Sequence, residues 1–127
     1  MTILLDSHAF YWWMTGDPRL SLRAANAIRG EARVYVSAVT AWEIANKVRI
    51  GKWPQAQRLA QRIVDELAAE QFTPLPIALE HAQLAGLLPG VHRDPFDRML
   101  AAQSRLENAP LVSADPVFKA FGTDVLW

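Results

Sequence analysis

The sequence predicts an α/β fold in which a mostly parallel sheet is covered by helices on both faces. Three observations carry that expectation. Short apolar or β-branched runs recur along the chain, stretches of helical periodicity lie between them, and Asp-Pro or Pro-Gly pairs mark the boundaries. Strands alternating with helices require crossover connections, and crossovers place the strands parallel.

The elements follow in order. Thr2-Ile-Leu-Leu5 is a short apolar run ended by Asp6 and reads as a buried strand. An aromatic-rich stretch, Ser7 to Thr15, is closed by Gly16-Asp17-Pro18. Asp17-Pro18 is a helix-start signal, with Leu20, Ala24, Ala27 and Ile28 at helical spacing behind it. Val34 to Ser37 is β-branched and aromatic, which predicts a second strand. Val39, Trp42, Ile44, Ala45 and Val48 then follow the 3.6 period up to Gly51. Pro54 opens another helix, with Leu59, Ile63, Val64 and Leu67 on one stripe. Phe72 to Leu75 reads as a third strand, which Pro74 confines to an edge. Ala78 to Leu88 is helical until Pro89-Gly90 breaks it, and Asp94-Pro95 starts a strong helix through Leu106. Leu111 to Ser113 is a buried strand followed by Asp115-Pro116, and Asp124 to Leu126 supplies a last one.

The 127 residues suit a single domain over 1–127, with no repeat, linker or low-complexity tract. Half of the chain is apolar, enough surface to offset the entropy of ordering it, so disorder is excluded. With no cysteine, disulfides and thiolate zinc sites are excluded too. Met1 to Leu5 shows no basic leader, and the longest greasy stretch, Ala9 to Met14, is too short for a membrane span. A cytoplasmic protein is expected. Thirteen basic and thirteen acidic residues cancel, but unevenly: residues 1–62 hold nine basic and four acidic side chains, and residues 63–127 hold four and nine. That asymmetry fits either a basic surface beside an acidic one or ordinary solvated helix faces.

In an open parallel sheet, functional groups collect beyond the carboxyl ends of the strands. Asp6 and Asp115 stand at such ends, and Glu43 and Asp97 lie near helix starts that chain topology allows to face the same edge. Converging carboxylates repel one another, and burial raises their pKa values unless a cation is present. Cysteine is absent and His8, His81 and His92 show no paired ligand spacing, which leaves hard cations, Mg²⁺ or Mn²⁺, rather than zinc. Such ions serve phosphate chemistry. Each acid also has a structural explanation. Asp94 and Asp97 form an Asp-x-x-Asp pair that capping accounts for, Asp115 before Pro116 suits a cap, and Glu43 suits a solvent-facing helix position. Asp6, directly after a buried strand, has the least structural purpose. Ser7, Ser37 and Ser113 stand at strand ends, where they cap helices or hydrogen-bond the acids. No Gly-x-Ser-x-Gly elbow and no Gly-rich phosphate loop are present.

Four segments together resemble the PIN-domain ribonucleases, in particular the VapC-like toxins of toxin–antitoxin pairs. They are Leu4 to His8, Ser37 to Glu43, His92 to Ala101 and Leu111 to Asp115, and the resemblance spans nearly the whole chain. It implies a three-layer α/β/α sandwich around a mostly parallel sheet of about five strands. It also implies Mg²⁺- or Mn²⁺-dependent hydrolysis of single-stranded RNA. Asp6, Glu43, Asp97 and Asp115 match the family's four acids as catalytic and metal-holding residues. Asp94, Ser7 and Ser113 are supporting groups, and Ser7 stands where Thr is more usual. Lys47, Arg49 and Lys52, at the end of the Glu43 helix, and Arg98 are candidates for contact with the RNA backbone. A cognate protein antitoxin and a homodimer are expected by analogy, with Trp12, Trp13 and Trp53 as candidate surface residues. The alternatives are another metal-dependent phosphohydrolase and a non-catalytic interaction module on the same fold. A haloacid-dehalogenase-like phosphatase needs a second Asp where His8 stands, and the acid and lysine set of a receiver module is missing.

Overall fold

A computed structural model describes residues 1–30 and 33–127. Its centre is a five-stranded sheet, β1 (Thr2–Leu5), β2 (Arg33–Ser37), β3 (Thr73–Leu75), β4 (Leu111–Val112) and β5 (Val125–Leu126). The order across the sheet is β3-β2-β1-β4-β5, and every neighbouring pair is parallel. The helices are α1 (Ser7–Thr15), α2 (Leu22–Arg29), α3 (Ala38–Arg49), α4 (Gln57–Glu70), α5 (Leu79–Leu87), α6 (Pro95–Leu106) and α7 (Val117–Ala120).

The alternation of a strand sorts its side chains onto two faces, and both are buried. Ile3 and Leu5 of β1, with Val34 and Val36 of β2, pack under Phe10, Ile28, Ile63 and Leu67 of α1, α2 and α4. Leu4 points the other way, toward Phe96 and Leu100 of α6 and Phe118 of α7. Helix α3 serves both layers, Ile44 in the first core and Val39 in the second. The three-layer sandwich is therefore present, and residues of β1 that read as a continuous apolar run do so because neither face meets water.

Chain direction sets the position of the site. From β1 the chain crosses to β2 and β3 on one side, then returns to β4 and β5 on the other. The order reverses beside β1, which opens a crevice at the carboxyl ends of β1 and β4. Pro74 sits on the edge strand β3, where its missing N–H interrupts no inner ladder.

Asp17-Pro18 does not start a helix. Asp17 Oδ1 accepts the Arg19 backbone N–H at 2.8 Å and the Asp17 carbonyl accepts from Leu20, so these residues form a turn. The helix begins four residues later, where Ser21 Oγ accepts the Ala24 N–H at 3.1 Å. Both readings fit an Asp before Pro; the Ser cap nearer the apolar stripe wins. The turn itself follows from Gly16, which ends α1 at φ 65° and lets its N–H reach the Trp12 and Trp13 carbonyls.

Candidate active site

Asp6 ends β1 and is the N-cap of α1. Its Oδ1 accepts the Ala9 N–H at 2.8 Å, and the side chain is buried at the carboxyl edge. Its pKa is raised to about 6, chiefly because burial penalises the charged form. The nearby charges of Glu43 and Asp115 push the same way, while hydrogen bonds from Ser113 and Ala9 oppose them.

Glu43 lies on the second turn of α3 and is only 5% exposed, so the solvent-facing reading of this residue does not hold. The Ser7 hydroxyl donates to its Oε1, and Lys47, one turn on, donates to Oε2 at 2.6 Å. Thr40, fully buried, stands beside Ser7 at 3.5 Å. Ser37 caps α3 through Val39 N–H at 3.0 Å and so fixes the turn from which Glu43 projects.

Asp94 caps α6, its Oδ1 accepting from Phe96 and Asp97 backbone N–H groups at 2.8 and 3.1 Å. Asp97, inside the first turn, pairs through Oδ2 with His92 Nε2 at 2.8 Å. Burial raises its pKa to about 6; the His92 contact works against that, and the charges of Asp94 and Glu43 add to it. Asp115 is exposed, and its Oδ1 accepts the Val117 N–H at 3.0 Å where α7 begins. The Ser113 hydroxyl accepts the Asp115 N–H at 3.0 Å, which ties the end of β4 to this turn.

These acids share one cleft of about 420 Å³, lined among others by Asp6, Glu43, Asp94, Asp97, Asp115 and Lys47. Among the described residues, no three Asp, Glu or His side chains already stand together as a closed ligand set. The hydrogen bonds explain why: Glu43 is held by Lys47 and Ser7, and Asp97 by His92. The donors nevertheless suit a hard divalent cation. They are carboxylate oxygens, and two of them sit where burial disfavours their charge, a cost that a cation removes.

Of the four basic residues singled out from sequence, Lys47 lines the cleft and Lys52 lines an adjoining pocket with His8 and Trp53. Arg49 is exposed and bonds Asn46 at 2.7 Å. Arg98 requires a correction. Its guanidinium donates to the carbonyls of Ala85 at 2.8 Å, His92 at 2.9 Å and Leu88. It is a strap between α5 and α6, committed to backbone oxygens rather than turned to substrate or to an acid. Trp12, Trp13 and Trp53 are partly buried, and Trp13 donates to Glu70 at 3.2 Å; the tryptophan left most open is Trp42, at 59%. The pairing of His92 with Asp97 and the place of Thr40 beside Ser7 were not anticipated from the sequence. The His92–Asp97 separation of five residues has no helical or strand period to reveal it, and Thr40 lies off the apolar stripe of α3, beside a Ser7 that is 33 residues away.

An acid-lined crevice at the switch point places this chain among the parallel α/β sandwiches, which bind their ligands at the carboxyl edge of the sheet. Residues 3–123 match the PIN domain, and the chain belongs to that family. It is 30% identical over 125 residues to the ribonuclease VapC22 of Mycobacterium tuberculosis, covering 90% of this chain and 87% of that protein. Its fold superposes on a chain of VapBC2 from Rickettsia felis, a complex bound to a DNA fragment from its promoter, with TM-score 0.73 and 16% identity. The match covers 98% of this chain and 97% of that one. FitAcB from Neisseria gonorrhoeae gives TM-score 0.66 at 22% identity, over 98% and 96% of the two chains.

Proposed function

We propose that this chain is a divalent-metal-dependent endoribonuclease cutting single-stranded RNA, the toxin half of a toxin–antitoxin pair. The observation that carries the reading is the convergence of Asp6, Glu43, Asp97 and Asp115, from four separate parts of the chain, on one cleft. The ribonuclease relative, matched over most of both chains, supports RNA as the substrate.

Asp6, Glu43 and Asp97 would hold Mg²⁺ or Mn²⁺, with Asp115 at the mouth of the cleft. The cation supplies Lewis-acid activation of water and neutralises charge on the phosphodiester oxygens. The protein's own groups prepare that arrangement. Capping by Ala9 N–H fixes the Asp6 carboxylate, and His92 fixes one oxygen of Asp97. Ser7 aims Glu43, and Ser113 braces both Asp6 and the Asp115 turn. Lys47 neutralises Glu43 and lines the cleft, where its ammonium would meet a phosphate. Asp94 holds the first turn of α6 and so sets the direction of Asp97.

The solved neighbours VapBC2 and FitAcB support a cognate protein partner for this chain. Trp42 on α3 and Leu79 and Leu87 on α5 are exposed apolar side chains that such a partner, or a second copy in a homodimer, would cover. Among the described residues no helix is long and apolar enough to cross a membrane.

Incubation of the purified chain with labelled single-stranded RNA in EDTA, Mg²⁺ and Mn²⁺ tests the reading. Cutting with either metal, none in EDTA and none by Asp97→Asn is the expected pattern. Cutting that persists in EDTA or in the variant would overturn it.

A further inference from the structure

One bank of the cleft is aromatic. Trp53 stacks on His8 with ring centroids 4.8 Å apart at 27°, His8 lies 5.6 Å from Trp12, and Trp12 lies 5.8 Å from Trp127. His8 is exposed, and Arg19 lies over the Trp12 ring at 5.2 Å. The bank passes directly by the acids, since His8 and Trp12 both line their cleft.

The depressions along this bank adjoin one another. His8 and Lys47 line both the acidic cleft and a pocket of about 290 Å³ completed by Lys52 and Trp53. At the other end, Ala114 and Asp115 are shared with a pocket of about 370 Å³ that includes Arg23, Lys119 and Trp127. A groove therefore runs through the acids, with cations and an aromatic ring at each end.

We propose that this groove is a nucleobase-stacking track. It seats single-stranded RNA with bases against His8–Trp53 on one side of the cut phosphate and against Trp127 on the other. Lys47 and Lys52, then Arg23 and Lys119, meet the flanking phosphates. Alternating ring faces and cations is what single strands require, because every base has a π-face and every linkage a charge. An apolar protein segment would strip water from these cations without pairing them, a cost that RNA avoids. The groove rests on the ribonuclease reading above and specifies how its substrate lies.

The test uses the Asp6→Asn chain, so that bound RNA stays intact, and fluorescein-labelled oligoadenylate and oligouridylate as probes. Oligoadenylate, with the larger stacking surface, is expected to bind more tightly. His8→Ala should weaken oligoadenylate binding about tenfold with little change in salt dependence, and Trp127→Ala similarly. Lys52→Ala should instead lower the salt slope by about one. Trp53 and Trp127 also pack on the core, so Trp53→Phe and Trp127→Phe, which keep a ring, should retain most of the affinity. RNA bound equally well by His8→Ala and Trp127→Ala would overturn the stacking track while leaving the ribonuclease reading intact. No RNA bound or cut by any form would overturn both. Loss of a co-expressed protein partner by these variants, with RNA affinity unchanged, would assign the groove to the partner and overturn the proposal.

Discussion

Replacing Asp6 by Asn should make the metal-free protein more stable, although it removes a residue at the heart of the cleft. The Asp6 pKa stands at about 6 against the usual value near 4, with burial as the main cause. At about 1.4 kcal/mol per pH unit, holding that carboxylate ionised in the fold costs about 3 kcal/mol above neutral pH. Asn still accepts the Ala9 N–H that caps α1, so the helix start is preserved. Its amide must also be desolvated, which returns part of the gain and leaves a net of about 1–2 kcal/mol. For a domain of this size that is about 4–8 °C in Tm.

The sign has a definite pH window. Below about pH 4 the carboxyl is protonated in folded and unfolded chains alike, so only the cost of desolvating the amide remains and Asn should be the less stable by about 1–2 kcal/mol. As pH rises from about 4 to about 6, the folded wild type holds its proton while the unfolded chain releases it, so wild-type stability falls. The advantage of Asn grows across that interval and is constant above it. Urea unfolding in EDTA at a series of pH values measures this directly. Mn²⁺ should reverse the order, raising the wild-type Tm by much more than that of Asp6→Asn. Equal or lower stability of the variant near pH 8 in EDTA would refute the claim that burial penalises this charge.

Further outcomes follow from the same geometry. Mn²⁺ affinity should tighten as pH rises from about 5 to about 7, because Asp6 and Asp97 must both lose protons to bind it; calorimetric titration across that range would show a flat profile if they do not. Lys47→Met should raise Mn²⁺ affinity several-fold, since the ammonium competes with a cation for Glu43, and unchanged affinity would mean that Glu43 is not a ligand. Arg98→Lys should destabilise the fold by about 2–3 kcal/mol, because an ammonium does not span the carbonyls of Ala85, Leu88 and His92. A urea midpoint matching the wild type would remove Arg98 from its bracing role.

What the sequence disclosed, and what it withheld, divides along physical lines. Continuous apolar runs such as Thr2–Leu5 and Leu111–Val112 were legible because strands buried on both faces leave no alternation to misread. Asp94-Pro95 was legible because a cap and Pro at the first position act within one turn. Asp17-Pro18 carries the same local signal, yet the chain uses it for a turn, since Ser21 offers a cap closer to the stripe of Ala24 and Ile28. Glu43 was ambiguous for a related reason. Its burial depends on Ser7 and Lys47 supplying hydrogen bonds, and the partner in α1 lies 36 residues away. Arg98 and His92 depend on the α5–α6 loop, whose carbonyls and side chains come together only once the helices pack. The acids could be placed at one edge from topology; which of them are buried, paired or open could not.

Diffraction from crystals soaked in Mn²⁺, recorded where manganese scatters anomalously, tests most directly whether the acids form one metal site. A single site at these acids requires a peak between Asp6 and Asp97, with the Glu43 carboxylate turned away from Lys47 toward it. A chain that cuts RNA only with Mn²⁺, yet shows no peak in this cleft or one bound elsewhere, would contradict it.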